Sequence, residues 1–151
     1  MHGPARAAFD APPHMMDSSR TMAVWFTEPA GLVAQFARPA RWSVPLAEWL
    51  VGPVISRLLK RFPGDQPLVF VLDLTQMNGR DPPVRQLVVE AARSLTHRAR
   101  RAVVVPPENA NRVYLAGVQA AASIARVFGL TVSIESLPEA LDSLRAAPPG
   151  T

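Results

Sequence analysis

Three short strand-like segments, at residues 68–72, 102–105 and 130–134, recur along the chain, each separated from the next by a segment long enough for one helix. The first two are unbroken and β-branched, the pattern of strands covered on both faces, and the third is read as the last strand. Parallel strands cannot be joined by a tight turn and need a crossover, usually a helix. The chain is therefore expected to be an α/β protein with a mainly parallel, mixed sheet.

The intervening segments supply the helices. Over 44–62, Leu46, Leu50, Val54 and Leu58 fall four residues apart, with Ser43 placed to cap the start and Pro45 in the first turn, where its missing N–H costs nothing. Gly52-Pro53 should kink or split this helix, and Pro63-Gly64 should end it. Asp81 followed by Pro82 signals a second helix over about 82–98, burying Val84, Leu87, Val88, Ala91 and Leu95, with a cationic last turn that suits its dipole. A third helix is expected over about 109–128, ended by Gly129, and a fourth over 137–146, opened by the capping box Ser136-Leu137-Pro138-Glu139. Upstream, the runs 22–27 and 32–37 flank Glu28-Pro29-Ala30-Gly31, which reads as a β-hairpin adding an antiparallel edge.

One domain over 21–146 accommodates all of these elements, with residues 1–20 and 147–151 read as flexible tails. A chain of 151 residues, 48% hydrophobic and 19% charged, has enough apolar content for one core. Cysteine is absent, which excludes disulfides, thiolate metal sites and a cysteine nucleophile. No apolar run reaches membrane-spanning length and no secretory signal is visible at the start, so a cytoplasmic location without membrane insertion is expected. Seven arginines against three acids between residues 80 and 112 hold the whole net charge of +4. Fifteen of the sixteen basic residues are arginine, a preference that fits a GC-rich bacterial genome and says little about partners.

The element order over roughly 21–146 resembles the STAS domain of bacterial anti-sigma-factor antagonists. Phe70-Val71-Leu72-Asp73-Leu74-Thr75 is similar to the family's strand ending in Asp-Leu-Ser, and Asp81 falls where the family has the Asp of its Asp-Ser-Ser-Gly helix start. Gly129-Leu130 and Ser136-Leu137-Pro138-Glu139-Ala140-Leu141 resemble its closing segments. The family's phosphorylated serine follows that Asp, whereas here Pro82 and Pro83 do, and proline has no hydroxyl to modify. The resemblance implies a protein-interaction domain meeting a regulatory kinase or signalling assembly, without a phosphoserine switch; self-association as a homodimer is left open.

The expected contact surface is the loop and helix start from Asp73 to Arg85, comprising Asp73, Thr75, Asn78, Arg80, Asp81 and Arg85, extended by Arg112 and Tyr114 at the next helix start. Asp73 stands at the carboxyl end of a central strand, where ligands of open α/β sheets gather. The simpler reading is that its carboxylate accepts nearby backbone donors and orders the loop, and that reading is preferred to catalysis. A phospho-receiver site would add an acidic pair after the first strand and a lysine after a late one; the only lysine is Lys60, in the first helix. No glycine-rich phosphate loop is present, and His2, His14 and His97 have no metal-ligand spacing. Neither a catalytic group, a cofactor nor a metal is expected. Arg93, Arg98, Arg100 and Arg101 could meet an anion, but a solvated helix end explains them as well, and the tryptophans at 25, 42 and 49 lie apart from them, which disfavours nucleic acid. A domain binding a small or anionic ligand, in a pocket between the hairpin and the first helix, is the alternative function.

Overall fold

The computed structural model describes residues 11–28, 30–95, 97–107 and 131–134. Six strands form one mixed sheet in the order β1 (Met15–Met16), β2 (Met22–Thr27), β3 (Gly31–Phe36), β5 (Leu68–Asp73), β7 (Ala99–Val105) and β8 (Thr131–Ile134). β1, β2 and β3 pair antiparallel, and β3, β5, β7 and β8 pair parallel. The expected α/β architecture with its antiparallel edge is the one observed. β4 (Ala40–Trp42) and β6 (Met77–Arg80) form a second, two-stranded parallel sheet.

The central strands are covered on both faces, as their unbroken apolar runs require. On one face Leu32, Ala34, Phe36 and Leu68 join Leu46, Leu50, Val54, Leu58 and Val84 in the principal core. On the other, Val33, Val71, Val103 and Val105 are buried together. The alternation Leu32/Val33 and Leu68/Val69 divides each strand between these two clusters, which is the two-residue period of a pleated strand.

The first helical segment runs as α1 (Val44–Trp49), a π-helical turn at Leu50–Val54, and α2 (Ile55–Arg61). Ser43 caps it, accepting the Leu46 N–H at 3.3 Å. Gly52-Pro53 does not split the helix. Pro53 has no N–H to give Trp49, and in a regular α-helix its ring would press on that carbonyl. The turn widens instead, and the Ile55 N–H reaches back to Leu50 as well as Gly52.

This widening explains the spacing of the buried stripe. Every fourth residue on an α-helix drifts by about 40° per step, hence about 120° from Leu46 to Leu58. A π turn holds one extra residue, which brings Leu58 back to within about 20° of Leu46. All four stripe residues are buried. Deleting Pro53 should therefore give an unbroken α-helix with the same face inward and a melting temperature at or above wild type, whereas deleting Ala47 should rotate everything after it and unfold the protein. A thermal melt of the two deletions checks this.

α3 (Pro82–Ser94) ends four residues earlier than the sequence suggests. The Arg98 and Ala99 N–H groups both turn back onto the Leu95 carbonyl, at 2.8 and 2.6 Å, and the chain then enters β7 at Ala99. Val84 and Leu95 are buried, while Leu87, Val88 and Ala91 are only half-buried.

Arg98 thus leaves the cationic helix end expected for it. It is 3% exposed, and its guanidinium donates to the carbonyls of Phe62 at 2.7 Å and Gln66 at 3.2 Å. Those carbonyls follow the end of α2, where the helix dipole presents its negative end. Gly64, in the turn between them, has φ +93°, a conformation that glycine adopts without a Cβ clash.

Residues 11–20, read as part of a tail, instead bring β1 to the edge of β2 through a turn fastened by Asp17. One Asp17 oxygen accepts the Thr21 and Met22 N–H groups at 2.7 and 2.8 Å, and the other accepts from the Ser19 N–H and hydroxyl. Partial burial opposes ionisation, but these hydrogen bonds outweigh it and hold the carboxyl below the usual carboxylate range. The helices expected at 109–128 and 137–146 and the tail at 147–151 lie outside the described residues.

Candidate functional site at the carboxyl edge of the sheet

Strands β3, β5 and β7 run parallel, so Gln35, Asp73 and Val105 arrive side by side at one sheet edge. Asp73 is 1% exposed and its hydrogen bonds come from its own chain. The Gln35 side-chain amide donates to Oδ2 at 2.6 Å, and the Thr75 N–H and hydroxyl donate to Oδ1 at 3.1 and 2.8 Å. The contacts to Thr75 form an Asx-type turn, which bends the chain off the strand end. Asp73 and Thr75 therefore shape the loop from within it.

The following loop is fastened along its length. The Leu74 N–H continues the ladder to the Val105 carbonyl at 2.9 Å, and the Met77 N–H closes a turn onto Leu74 at 3.0 Å. The Gln76 side chain donates to the Phe36 carbonyl at 3.2 Å. Leu74 and Met77 are buried in the core beneath. Residues 77–80, expected as loop, form β6 on β4, with Ala40 N–H to Gln76 and Asp81 N–H to Trp42 holding the two ends.

Asp81 stands at the N-cap of α3, as its sequence position suggests, but its side chain does not cap that helix. A capping carboxylate accepts from the second or third helical N–H. The second residue here is Pro83, which has none, and the Val84 N–H already donates to the Asp81 carbonyl at 3.1 Å. The two prolines thus release the carboxylate, which turns to Arg41 and to the start of α1. Arg41 Nε meets Oδ1 at 2.6 Å and the Val44 N–H meets Oδ2 at 3.3 Å. The Arg41 hydrogen bond is the chief reason the Asp81 carboxyl is held below its ordinary range, aided by Val44 and by the Arg41 charge.

Arg41 also donates to the Arg80 carbonyl at 2.9 Å and lies across Gly79, where a Cβ would come 2.7 Å from its Nη1. It is the contributor that sequence reading missed. A three-residue strand after Pro39 carries no periodicity, and its partner Asp81 is forty positions away.

Outward from this frame stand Asn78, Arg80, Pro82, Pro83 and Arg85, all exposed, together with a half-exposed Arg41. The face is cationic, because the carboxylate among them is already held by Arg41. Of the sequence-expected site residues, Asn78, Arg80, Asp81 and Arg85 come together at this surface, Asp73 and Thr75 lie under it, and Arg112 and Tyr114 are outside the described residues. Trp42 is buried against Phe36 edge-on, with ring centroids 6.1 Å apart, and Trp49 is half-buried against the core. Among the described residues no group of His, Asp and Glu side chains is placed to hold a metal ion, and no helix is long and apolar enough to cross a membrane.

Among solved structures, the anti-sigma factor antagonist SpoIIAA in its unphosphorylated form aligns over 83% of this chain and 99% of its own, with a TM-score of 0.58 and 15% identity. The fold is SpoIIAA-like. An uncharacterised DUF3478-family protein with a SpoIIAA-like fold, from Shewanella loihica PV-4, aligns over 82% of this chain and 91% of its own, with a TM-score of 0.55 and 14% identity. No family model and no curated protein matches the sequence. The likeness is one of fold, STAS-like, at low sequence identity.

Proposed function

We propose that this chain is a regulatory protein-interaction domain, acting in the manner of an anti-sigma-factor antagonist but without a phosphoserine switch. The observation that carries the proposal is the exposed group Asn78, Arg80, Pro82, Pro83 and Arg85, held on a loop fastened from below by Asp73 and from the side by Arg41. A rigid cationic face of this kind selects a partner by shape and charge, and its ordering cost on binding is low. Proline in place of a hydroxyl residue at the helix start removes the phosphate acceptor, so control passes to partner abundance or to another site on the chain. Binding is favoured over catalysis because the strand-end carboxylate that could serve as an acid or base has its hydrogen bonds filled internally. A regulatory kinase or signalling assembly with an acidic docking surface is the partner class that fits.

The test uses an anti-sigma kinase encoded by the source genome, co-expressed with this chain. Wild-type protein should co-elute with it, and ATP should add no phosphate to the intact mass. The double variant Arg80→Glu, Arg85→Glu should bind about tenfold to a hundredfold more weakly with an unchanged circular dichroism spectrum. Unweakened binding by the double variant would remove this face from the interface, and phosphorylation of Thr75, the one hydroxyl side chain between Asp73 and Arg85, would defeat the absence of a switch.

A further inference from the structure

The edge of β2 is covered by a short segment in which a histidine ring stands in for a strand carbonyl. β1 contributes only Met15 and Met16 to the ladder, opposite Val24 and Ala23. Beyond it the segment is held by one further backbone bond and two side-chain bonds. The His14 backbone N–H donates to the Val24 carbonyl at 2.9 Å, and its ring Nδ1 accepts the Phe26 backbone N–H at 3.0 Å. The imidazole takes the place that a carbonyl of a longer edge strand would fill. Three residues earlier, the Ala11 carbonyl accepts Trp25 Nε1 at 2.9 Å.

An imidazole that accepts at Nδ1 carries its proton on Nε2 and is uncharged. Protonation would set an N–H at Nδ1 against the Phe26 N–H, so the charged form cannot keep this bond. The surroundings favour the neutral form too. Packed on His14 from β2 is the Phe26 ring, at 5.3 Å, and the charged groups facing it from α2 are Arg57 and Arg61, the latter also stacked over Phe26. Partial burial, Arg61 and Arg57, in that order, lower the His14 pKa from its ordinary value.

We infer that the segment Ala11–Met16 is a pH-released cover, held on the edge of β2 by neutral His14 and freed when that imidazole is protonated. Release leaves the Val24 carbonyl and the Phe26 amide unpaired on a strand edge, the arrangement that pairs with a strand of another chain. The sign follows from the pKa order. The histidine is harder to protonate in the covered state than in the released one, so the cover is fully held above the released-state value of about 6.5 and loosens as pH falls below it. Asp17, at the other end of β1, titrates below the ordinary carboxylate range, so its turn stays fastened while His14 changes charge.

Amide hydrogen exchange on the full chain reads this directly. With intrinsic exchange corrected for, the opening of the Phe26 amide should rise by up to about tenfold per pH unit between the two His14 pKa values, while Val33 and Val71 in the central strands stay unchanged. In His14→Asn the amide oxygen can accept at the place of Nδ1, so the cover should hold with no pH dependence. In Arg57→Gln, Arg61→Gln the covered-state pKa should rise towards the released-state value, so the pH-dependent rise in opening should be smaller and level off at a higher pH. A flat Phe26 profile in the wild type, or the same pH dependence in His14→Asn, would overturn the inference.

Discussion

Arg98→Ala is expected to destabilise the protein by about 3 kcal/mol, enough to lower its melting temperature by roughly 10 °C. The guanidinium makes three hydrogen bonds to the carbonyls of Phe62 and Gln66, and the residue is 3% exposed. Truncation leaves both carbonyls short of a donor and removes the side chain that fills the space between the end of α2 and the start of β7. Arg98→Met separates the two contributions, because it keeps most of the stem and loses every donor. It should recover less than half of the loss. Arg98→Lys keeps the charge, but an ammonium cannot reproduce the fork that reaches two carbonyls from one planar group, so it should fall between wild type and alanine. Urea unfolding of the three variants measures the order. A methionine variant as stable as wild type would show that packing alone holds this junction.

Asp73→Ala is expected to cost about 3 kcal/mol as well, and to loosen the docking face in addition. Its removal strands the Gln35 amide together with the Thr75 N–H and hydroxyl, and it undoes the turn that carries the chain from β5 towards β6. Asp73→Asn should be milder, about 1 kcal/mol, because Oδ1 can still accept from Thr75 and the Gln35 amide can rotate to offer its oxygen. The two effects of the alanine change are separable. Calorimetry reads the loss of stability, and exchange of the 75–80 amides at a temperature where the protein is folded reads the loosening of the loop. Weakened partner binding by folded Asp73→Ala, with Arg80 and Arg85 intact, is the expected functional consequence. Undiminished protection at 75–80 would show that β4 pairing and Arg41 suffice to hold the loop.

Much of the fold was legible in local pattern. The runs that became β5 and β7 are apolar without alternation because both faces of those strands are buried, and burial selects side chains one residue at a time. The stripe Leu46, Leu50, Val54, Leu58 was legible for the same reason, although its spacing of four held a further message. On a regular α-helix that spacing would not keep one face, and the π turn at Pro53 reconciles the two. The Asp81–Pro82 start of α3 and the Ser43 cap were also readable, since capping depends on residues within one turn of each other. The resemblance to STAS domains rested on the same local segments, and the SpoIIAA-like fold agrees with it.

The elements missed are those whose reason lies far away in the chain. β1 and β6 are two and four residues long, and Asn78-Gly79-Arg80 has no strand propensity; each exists because a distant strand offers it hydrogen bonds. Arg98 sits in a cationic run that reads as solvated, and only the end of α2, more than thirty residues earlier, gives it carbonyls to serve. Asp81 was correctly placed as a cap by position, yet the fold gave its carboxylate to Arg41. The sequence alone determined the apolar strands of the main sheet and the two helices that start at Val44 and Pro82, because that choice is written in the periodicity of side chains a few residues apart. The tertiary structure alone decided which polar groups are spent inside and which face a partner, because a donor and its acceptor are matched by proximity in space, and no local pattern records it.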